Sequence, residues 1–215
     1  MRELFMEKII EAIKKARESK KRNFKQSFDI AVNLKSIDLK KPENKIKTEV
    51  VLPNGLGKAT KIGFIADTLI PQVKDLENVV LIRKDQLEFY GKNKKETKRL
   101  AELCYSFVAE APLMPLVGKN LGQVLAVRNK MPKPIPPTVN VKALLDIVSK
   151  TIKIAVKESP TIHCNVGMED ISDEKIAENI DTIVKSVVSA LPKGKEQVKN
   201  LVIKLSMGKP VKVII

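Results

Sequence analysis

Short apolar segments alternate with helical stretches through the middle of this chain, from residue 61 to residue 150. The apolar segments of strand length cover 62–66, 79–82 and 107–109. The stretches with helical spacing cover 69–76, 85–90 and 93–104,. Alternation of this kind predicts a parallel sheet covered by helices. A helix that begins after Asn140 completes the block,.

The segments on either side of this block have a different pattern. Residues 3–19 carry apolar side chains at three- and four-residue spacing, which predicts an amphipathic helix,. Phe28 to Leu34 alternate apolar and polar residues, as a half-buried strand does,. The remaining predictions are strands at 46–52, 152–156 and 162–166, a helix from Ser172 to Pro192 and a strand from Val198 to Gly208,. The pattern suggests a mixed α/β protein with one domain inserted into another.

Charge indicates the class of partner. The 40 Lys plus Arg residues exceed the 25 Asp plus Glu residues and give a net charge of +15 at pH 7. Such an excess attracts polyanions, so we expect nucleic acid as the partner. An anionic membrane would also attract the chain, but stable attachment needs an apolar anchor. No segment approaches the roughly 18 apolar residues of a membrane span.

Basic residues concentrate at both ends of the chain. The N-terminal cluster consists of Lys14, Lys15, Arg17, Lys20, Lys21, Arg22 and Lys25. Between Lys185 and Lys212 there are seven lysines, and Glu196 is the one acid. Either cluster alone can be a solvated helix face. If the two ends pack together, they form one basic surface.

No pattern in the sequence favours catalytic or metal chemistry. Cys104 and Cys164 lie in separate apolar stretches, which is typical of reduced thiols in a cytosolic core,. They cannot form a zinc site of familiar spacing with the single His163, which we interpret as a packed core histidine,. Gly55-Leu56-Gly57-Lys58 lacks the spacing of a phosphate-binding loop, so a turn or hinge is favoured,. We expect no enzyme activity, no cofactor and no metal.

Three groups of residues are specific when they are taken together. The first is Arg22-Asn23-Phe24-Lys25-Gln26-Ser27-Phe28-Asp29, followed by Asn33-Leu34-Lys35, Pro42-Glu43-Asn44 and Val51-Leu52-Pro53-Asn54-Gly55. The second is Met114-Pro115-Leu116-Val117-Gly118-Lys119, with Leu121-Gly122 and Lys130-Met131-Pro132-Lys133-Pro134. The third is Ser206-Met207-Gly208. In this order and at these separations, over nearly the whole chain, they resemble the large-subunit ribosomal protein L-one family in its archaeal form.

The chain departs from the family pattern at two places. Leu125-Ala126-Val127-Arg128-Asn129 stands where the family usually reads Leu-Gly-Pro-Arg-Gly. Asparagine tolerates the left-handed backbone conformation, but the loss of Gly-Pro changes what can be expected of the loop. Ser206 stands where many members carry threonine, and it keeps the hydroxyl group.

The resemblance implies a fold and a set of partners. The fold is a discontinuous α+β RNA-binding domain of residues 1–60 and 151–215, with an inserted Rossmann-like three-layer α/β domain of residues 61–150. The chain would be a cytoplasmic ribosomal protein, a monomer when off the ribosome, bound to the mobile stalk of large-subunit rRNA near the tRNA exit site. Its own mRNA, whose translation it would repress, and exit-site tRNA are the further partners implied.

The resemblance also implies which residues form the RNA-binding face. They are Asn23, Phe24, Ser27 and Asp29 from one strand, and Asn200, Lys204, Ser206, Met207 and Gly208 from the other. The two-residue strand period agrees with this in part, because it puts Ser27 and Asp29 opposite Phe28. Short polar side chains can pair with ribose 2′-hydroxyls and phosphates. Gly208 allows close approach of an RNA backbone. Met207 offers apolar contact to a sugar or a base, and a core methionine is the alternative interpretation.

Two alternatives stay open. One is a non-ribosomal relative of the same fold that acts in ribosome assembly; such relatives usually carry long basic tails, which we do not find here. The other is an enzyme that binds a nucleotide on the Rossmann-like domain. It would need a glycine-rich turn after the first strand of that domain, and Phe64-Ile65-Ala66-Asp67-Thr68 contains no glycine,.

Overall fold

The computed structural model describes residues 2–20, 22–39, 46–73, 76, 78–137, 139–156 and 159–213. Lys21 of the N-terminal basic cluster and Pro42-Glu43-Asn44 of the first motif lie outside the described residues. The chain divides into two compact units. Met1–Lys58 and Lys150–Ile215 together form the first, here called the terminal unit, and Ala59–Ser149 form the second, the middle unit.

Helices and strands alternate along most of the chain. The helices are α1 (Arg2–Arg17), α2 (Ile70–Val73), α3 (Lys84–Lys92), α4 (Lys94–Leu103), α5 (Met114–Val127), α6 (Val141–Lys150) and α7 (Asp173–Ala190). The strands are β1 (Ser27–Leu34), β2 (Lys47–Val51), β3 (Ile62–Ala66), β4 (Val79–Arg83), β5 (Ser106–Glu110), β6 (Lys133–Ile135), β7 (Thr151–Ala155), β8 (Thr161–Met168), β9 (Val198–Leu205) and β10 (Val211–Val213).

A four-stranded antiparallel sheet forms the centre of the terminal unit, with strand order β10-β9-β1-β8. Strand β1 comes from the beginning of the chain, and both of its neighbours come from the end. Strands β2 and β7 form a separate antiparallel pair in the same unit. The sheet therefore cannot form from either end of the chain alone.

One face of this sheet is buried under two helices. Phe28, Ile30 and Val32 of β1 are buried in one hydrophobic cluster with side chains from α1 and α7, such as Ile13 and Ile180. Their two-residue period in the strand and their helical spacing in the helices give each element one apolar side. The alternate residues of β1 are half-buried and point to the opposite face, which is called the open face below.

Arg17 ties the end of α1 to the turn before α7. Its Nε donates to Asp173 Oδ1 at 2.6 Å. Its two terminal nitrogens donate to the carbonyl oxygens of Glu169 at 2.7 Å and Ile171 at 2.6 Å. The guanidinium carbon lies 5.1 Å from the centre of the Phe28 ring, within cation–π range,. One arginine of the N-terminal basic cluster is thus committed to holding the unit together.

A parallel sheet with strand order β4-β3-β5-β6 forms the centre of the middle unit. Ile65 and Phe107 belong to a cluster with α3, α4 and α5 on one side of the sheet. Phe64 and Val108 belong to another cluster with α2 and α6 on the other side. The predicted α/β fold class, with a parallel sheet between helical layers, is confirmed.

Helix α5 and strand β6 differ from the sequence prediction, which left both regions without regular structure. Pro115 and two glycines obscure α5, but Pro115 lies in its first turn, where proline is tolerated,. Buried Val117, Leu121 and Leu125 then hold the helix in place. Pro134 is tolerated in β6 because β6 is an edge strand,.

Both cysteines are free thiols, and they lie in different units. Burial raises the pKa of Cys164 to about 12, with a smaller contribution from the charge of Asp29. Burial also raises the pKa of Cys104. Both thiols are therefore protonated at neutral pH, as expected for side chains without a nucleophilic role.

A carboxylate occupies the place where a nucleotide would bind to the parallel sheet. From β3 the chain continues to its neighbour β4, and from β5 it continues in the opposite direction across the sheet to β6, so the carboxyl ends of β3 and β5 are the topological switch point,. Glu110, at the end of β5, is 2% exposed. It accepts hydrogen bonds from the Thr68 amide and hydroxyl, both at 3.0 Å, and from the Leu69 amide at 2.8 Å. The two amides are backbone donors of the kind that a phosphate would need,.

Glu110→Gln is expected to destabilise the middle unit at neutral pH, because a neutral amide is a weaker acceptor than a carboxylate. Burial alone raises the pKa of Glu110, but the hydrogen bonds from Leu69 and Thr68 outweigh it and lower the pKa below its ordinary value. The contribution of Glu110 is therefore complete above the ordinary carboxyl pKa of about 4.3. It is lost as the pH falls through the lower pKa of the folded protein.

Urea unfolding at neutral and acidic pH measures this contribution. The chain has two tyrosines, Tyr90 and Tyr105, and both lie in the middle unit, so their fluorescence reports on that unit alone. Glu88→Gln, an exposed change in the same unit, is the control and should have little effect,. A stability difference between wild type and Glu110→Gln that stays constant into acid would contradict the role given to the carboxylate.

Candidate nucleic-acid interface

The structure brings the predicted site residues to the open face of the terminal-unit sheet and to one end of it. Because β1 and β9 are antiparallel, the start of β1 lies beside the end of β9. Asn23 and Phe24 precede β1, and Met207 and Gly208 follow β9. The Ser206 amide donates to the carbonyl oxygen of Ser27 at 3.0 Å and extends the pairing past the end of β9.

Two serine hydroxyls meet at this junction. The Oγ atoms of Ser27 and Ser206 are 2.9 Å apart, although 179 positions separate them in the chain. The Ser27 amide donates to Ser206 Oγ at 3.2 Å, and the Met207 amide donates to the side-chain oxygen of buried Gln26 at 3.2 Å. These bonds fix the backbone on both sides of the junction. Each hydroxyl also keeps further capacity to accept hydrogen bonds from a ligand.

Asp29 places a carboxylate among donors on the open face. It pairs in register with Lys204 on one side and Asn165 on the other. Asn165 Nδ2 donates to Asp29 Oδ1 at 3.2 Å, and Ser27 Oγ donates to the same oxygen at 3.5 Å. Burial raises the pKa of Asp29, while the charge of Lys204 and these two hydrogen bonds oppose the rise. The carboxylate is thus held in one orientation.

Asn200 is the predicted site residue that the structure buries most, with 6% of its surface exposed. Its Oδ1 accepts a hydrogen bond from Asn33 Nδ2 at 2.7 Å. Thr161 Oγ1 in turn donates to Asn33 Oδ1 at 3.1 Å. The three side chains form a hydrogen-bonded row across β9, β1 and β8, and the side-chain oxygen of Asn200 accepts the bond at one end of this row.

Two large apolar side chains are exposed at the end of the sheet where the serines meet. Phe24 is 53% exposed and Met207 is 60% exposed. The interpretation of Met207 as a core methionine is therefore wrong. Single exposed apolar side chains are common on protein surfaces, so what distinguishes these two is that both lie at the end of the sheet where the serine hydroxyls meet,.

Gly208 lies where the packing of the chain leaves little room for a side chain. A Cβ atom at this position would lie 3.0 Å from Leu205 Cβ and 3.0 Å from Ser19 Oγ. The Gly208 amide also donates to the carbonyl oxygen of Leu205 at 2.9 Å, which closes the turn after β9. A side chain at residue 208 would therefore require Leu205 and Ser19 to shift by a few tenths of an ångström.

Sequence reasoning missed the contributions of β8 and β10 to the open face. The strand register pairs His163 with Ala31 and Lys212 with Val202. The interpretation of His163 as a packed core histidine is wrong, because its side chain is exposed. β8 is an edge strand, and His163 follows buried Ile162, so the alternation of the strand turns it to the open face,. The alternation of Ile162 and His163 could be read from the sequence, but the strand order was needed to know that the side opposite Ile162 is the open face.

Three members of the N-terminal basic cluster are paired with acids. Lys15 binds Glu11 and Lys25 binds Asp170, each at 2.6 Å, and Arg17 binds Asp173 as described above. The ion pairs of Lys15 and Lys25 are exposed to solvent, so each contributes little to the free energy of unfolding,. Either lysine can therefore leave its acidic partner and bind a phosphate. In this cluster Arg17 therefore stabilises the fold, whereas Lys15 and Lys25 can exchange their exposed acidic partners for an anionic ligand.

Across the described residues, no helix is both long enough and apolar enough to cross a membrane. Within that same part of the chain, no three His, Cys, Asp or Glu side chains are grouped as a metal ion would require.

Comparison with known proteins gives one consistent family. A sequence model of the Ribosomal protein L1p/L10e family matches residues 14–209. The chain is 47% identical to the large ribosomal subunit protein uL1 of Methanothermobacter thermautotrophicus, over 97% of this chain and 99% of that protein. It is 47% identical to the protein of the same name from Methanobrevibacter smithii, with the same coverage. It is 44% identical to that from Pyrococcus abyssi, over 96% of this chain and 95% of the relative.

Gly208→Val is expected to destabilise the terminal unit by roughly 1–3 kcal/mol, because the new side chain overlaps Leu205 and Ser19,. Met207→Ala, at the exposed neighbour, should change stability by less than about 0.5 kcal/mol. Amide hydrogen exchange of β9 measures both effects within the terminal unit. If Gly208→Val were as stable as wild type, the close packing seen here would not be the reason for the glycine.

Proposed function

The chain belongs to the Ribosomal protein L1p/L10e family, and from this premise we propose that it binds large-subunit rRNA as a protein of the large ribosomal subunit. The relatives described above are named as ribosomal proteins and not as enzymes. Glu110 argues against nucleotide binding at the switch point of the middle unit, because it already accepts hydrogen bonds from the amides that a nucleotide phosphate would use.

The observation that carries the proposal is the junction between β1 and β9. It places exposed Phe24 and Met207 beside the paired hydroxyls of Ser27 and Ser206. Apolar and aromatic side chains can contact unstacked bases and sugars, and hydroxyls can bind ribose 2′-hydroxyls or phosphates. The proposed RNA-binding residues are Asn23, Phe24, Ser27, Asp29, Asn200, Lys204, Ser206, Met207 and Gly208.

In this proposal the two parts of the chain have different roles. Residues 1–60 and 151–215 form the RNA-binding domain, and residues 61–150 form the inserted Rossmann-like domain. The terminal unit supports the first assignment, because the site residues and both basic ends of the chain belong to it. Lysines around the open face contribute affinity through phosphates, and the junction contributes specificity.

The finer part of the proposal concerns which RNAs are bound. We place the protein on the mobile stalk of large-subunit rRNA, near the exit site of deacylated tRNA, where exit-site tRNA is a further partner. Off the ribosome, as a cytoplasmic monomer, it binds its own mRNA through the same face and represses translation. One face serves both RNAs because fixed polar groups recognise a local RNA shape that two molecules can share.

Binding to a stalk transcript tests the proposal. We expect Phe24→Ala and Met207→Ala each to weaken binding about tenfold, the loss expected when one contact to a base is removed. The affinity should fall with log salt at a slope of about 0.7–0.9 per neutralised phosphate. Lys204→Ala should reduce that slope by about 1. Filter binding to a transcript of the stalk rRNA from Methanothermobacter thermautotrophicus measures all three variants.

Phe89→Ala is the matched control. Phe89 is 55% exposed, almost the same as Phe24, but it lies in the middle unit. It should leave affinity for the transcript unchanged. Equal losses from Phe89→Ala and Phe24→Ala, or no loss from either, would contradict the placement of the site. Sedimentation distinguishes the assembly-factor alternative, since a ribosomal protein stays with mature large subunits and an assembly factor is found only with their precursors.

Repression requires that the two RNAs compete. We expect the leader of the mRNA that encodes this chain to be displaced by unlabelled stalk transcript, and Met207→Ala to weaken binding of both RNAs. In a coupled translation reaction, added protein should lower synthesis of the chain, and added stalk transcript should restore it. Simultaneous binding of both RNAs to one protein molecule would show that they do not share the open face.

A further inference from the structure

An apolar pair interrupts the otherwise polar open face of the terminal-unit sheet. The residues of β1 on this face are Ser27, Asp29, Ala31 and Asn33, and those of β9 are Asn200, Val202 and Lys204. Ala31 and Val202 are the apolar members of the two rows, and the strand register pairs them directly with each other. They therefore form one apolar spot at the centre of the face.

A depression of about 380 Å³ lies over this spot. Ala31 is its shortest side chain and lies at its floor, with Val202 on one side and His163 on the other. Asp29, Asn165 and Lys204 line one end of it. Since Val202 and His163 stand on the two strands that flank β1, roughly two strand spacings of about 4.8 Å separate their backbones. The volume is in the range of small-ligand sites, about 300–1,000 Å³.

The lining of the depression suits a nucleobase better than the other parts of an RNA. A base has an apolar planar face and a polar edge, and proteins bind unstacked bases between apolar or aromatic side chains with hydrogen bonds to the edge. A phosphate would meet an apolar floor and the carboxylate of Asp29. A ribose has no planar face to lie against Val202 and the imidazole of His163.

We propose that this depression binds one unpaired base of the RNA. The face of the base lies against Ala31 and Val202, the imidazole of His163 stacks on it or closes it from the side, and Asn165 and Asp29 meet its edge. The inference rests on the proposed function, because it needs an RNA on the open face. It extends that function by adding His163 and Val202 as residues that distinguish an unpaired base from a continuous duplex.

Filling the depression tests the proposal. Ala31→Leu adds bulk at the floor and points away from the core, so it should leave the fold intact. We expect it to weaken binding of the Methanothermobacter thermautotrophicus stalk transcript about tenfold or more, the effect of losing a stacked base. The salt slope should stay unchanged, because no phosphate contact is lost. Ala155→Leu makes the same change on β7, in the other sheet of the same unit, and should have no effect.

His163 gives a second test that does not depend on filling space. His163→Ala should weaken binding, whereas His163→Phe, which keeps a planar ring, should retain most of the affinity. If Ala31→Leu fails to fold, as judged by circular dichroism, these two variants decide the question. Equal binding by wild type and His163→Ala, with Ala31→Leu either unfolded or as tight as wild type, would overturn the proposal.

Chemical probing of the RNA identifies the base. With wild-type protein, we expect one unpaired base of the transcript to be protected at its Watson–Crick edge, and to become reactive again with His163→Ala. Identical protection by both proteins would also overturn the proposal. If Phe24→Ala weakens binding as expected but Ala31→Leu and His163→Ala do not, the proposed function stands and only the base site is excluded. No binding by wild type would remove both.

Discussion

The antiparallel pairing of β1 with β9 and β8 is the constraint on which the rest of the terminal unit depends. It joins the beginning of the chain to its end and brings Ser27 within hydrogen-bonding distance of Ser206. It also gives α1 and α7 a common apolar face to cover, since the buried residues of all three strands point to the same side. Without this pairing neither the core of the unit nor the junction at the end of β9 would exist.

Charge has two separate uses in this chain. The guanidinium of Arg17 contacts groups of the terminal unit itself: Asp173, two carbonyl oxygens and the ring of Phe28. Lys204 stands on the open face beside Asp29, where its charge opposes the rise in the pKa of that carboxyl group caused by burial. Counting basic residues therefore identifies the class of partner but overstates the number of groups that are available to bind it. The distances and the exposure of each ion pair distinguish basic side chains that hold the fold together from those that remain at the surface.

Local patterns predicted the elements well where one face is buried and the other is not. The alternation of β1 and the amphipathic helix α7 are of this kind. Strands β3 and β5 of the middle unit are buried on both faces, and their continuous apolar runs predicted them,. Helix α5 was missed because proline and glycine weaken its local signal, while its stability comes from packing of Val117 and Leu121. For the site, motifs identified residues on β1 and β9. The alternation of β8 turns His163 away from buried Ile162, but no local pattern states which strands lie beside β8 or which face of the sheet stays open, so His163 was misjudged.

The strand order also has a consequence for synthesis of the protein. The strands of the middle unit follow one another along a continuous stretch of chain, so that unit can fold as soon as β6 and α6 have left the ribosomal tunnel,. Strand β1 emerges before the middle unit but must wait for β8 and β9, which are translated after the whole of that unit. A nascent chain that has not yet reached β8 therefore holds a folded middle unit and an unpaired β1, and the surface that holds Ser27 beside Ser206 forms only after β9 and Ser206 have left the tunnel.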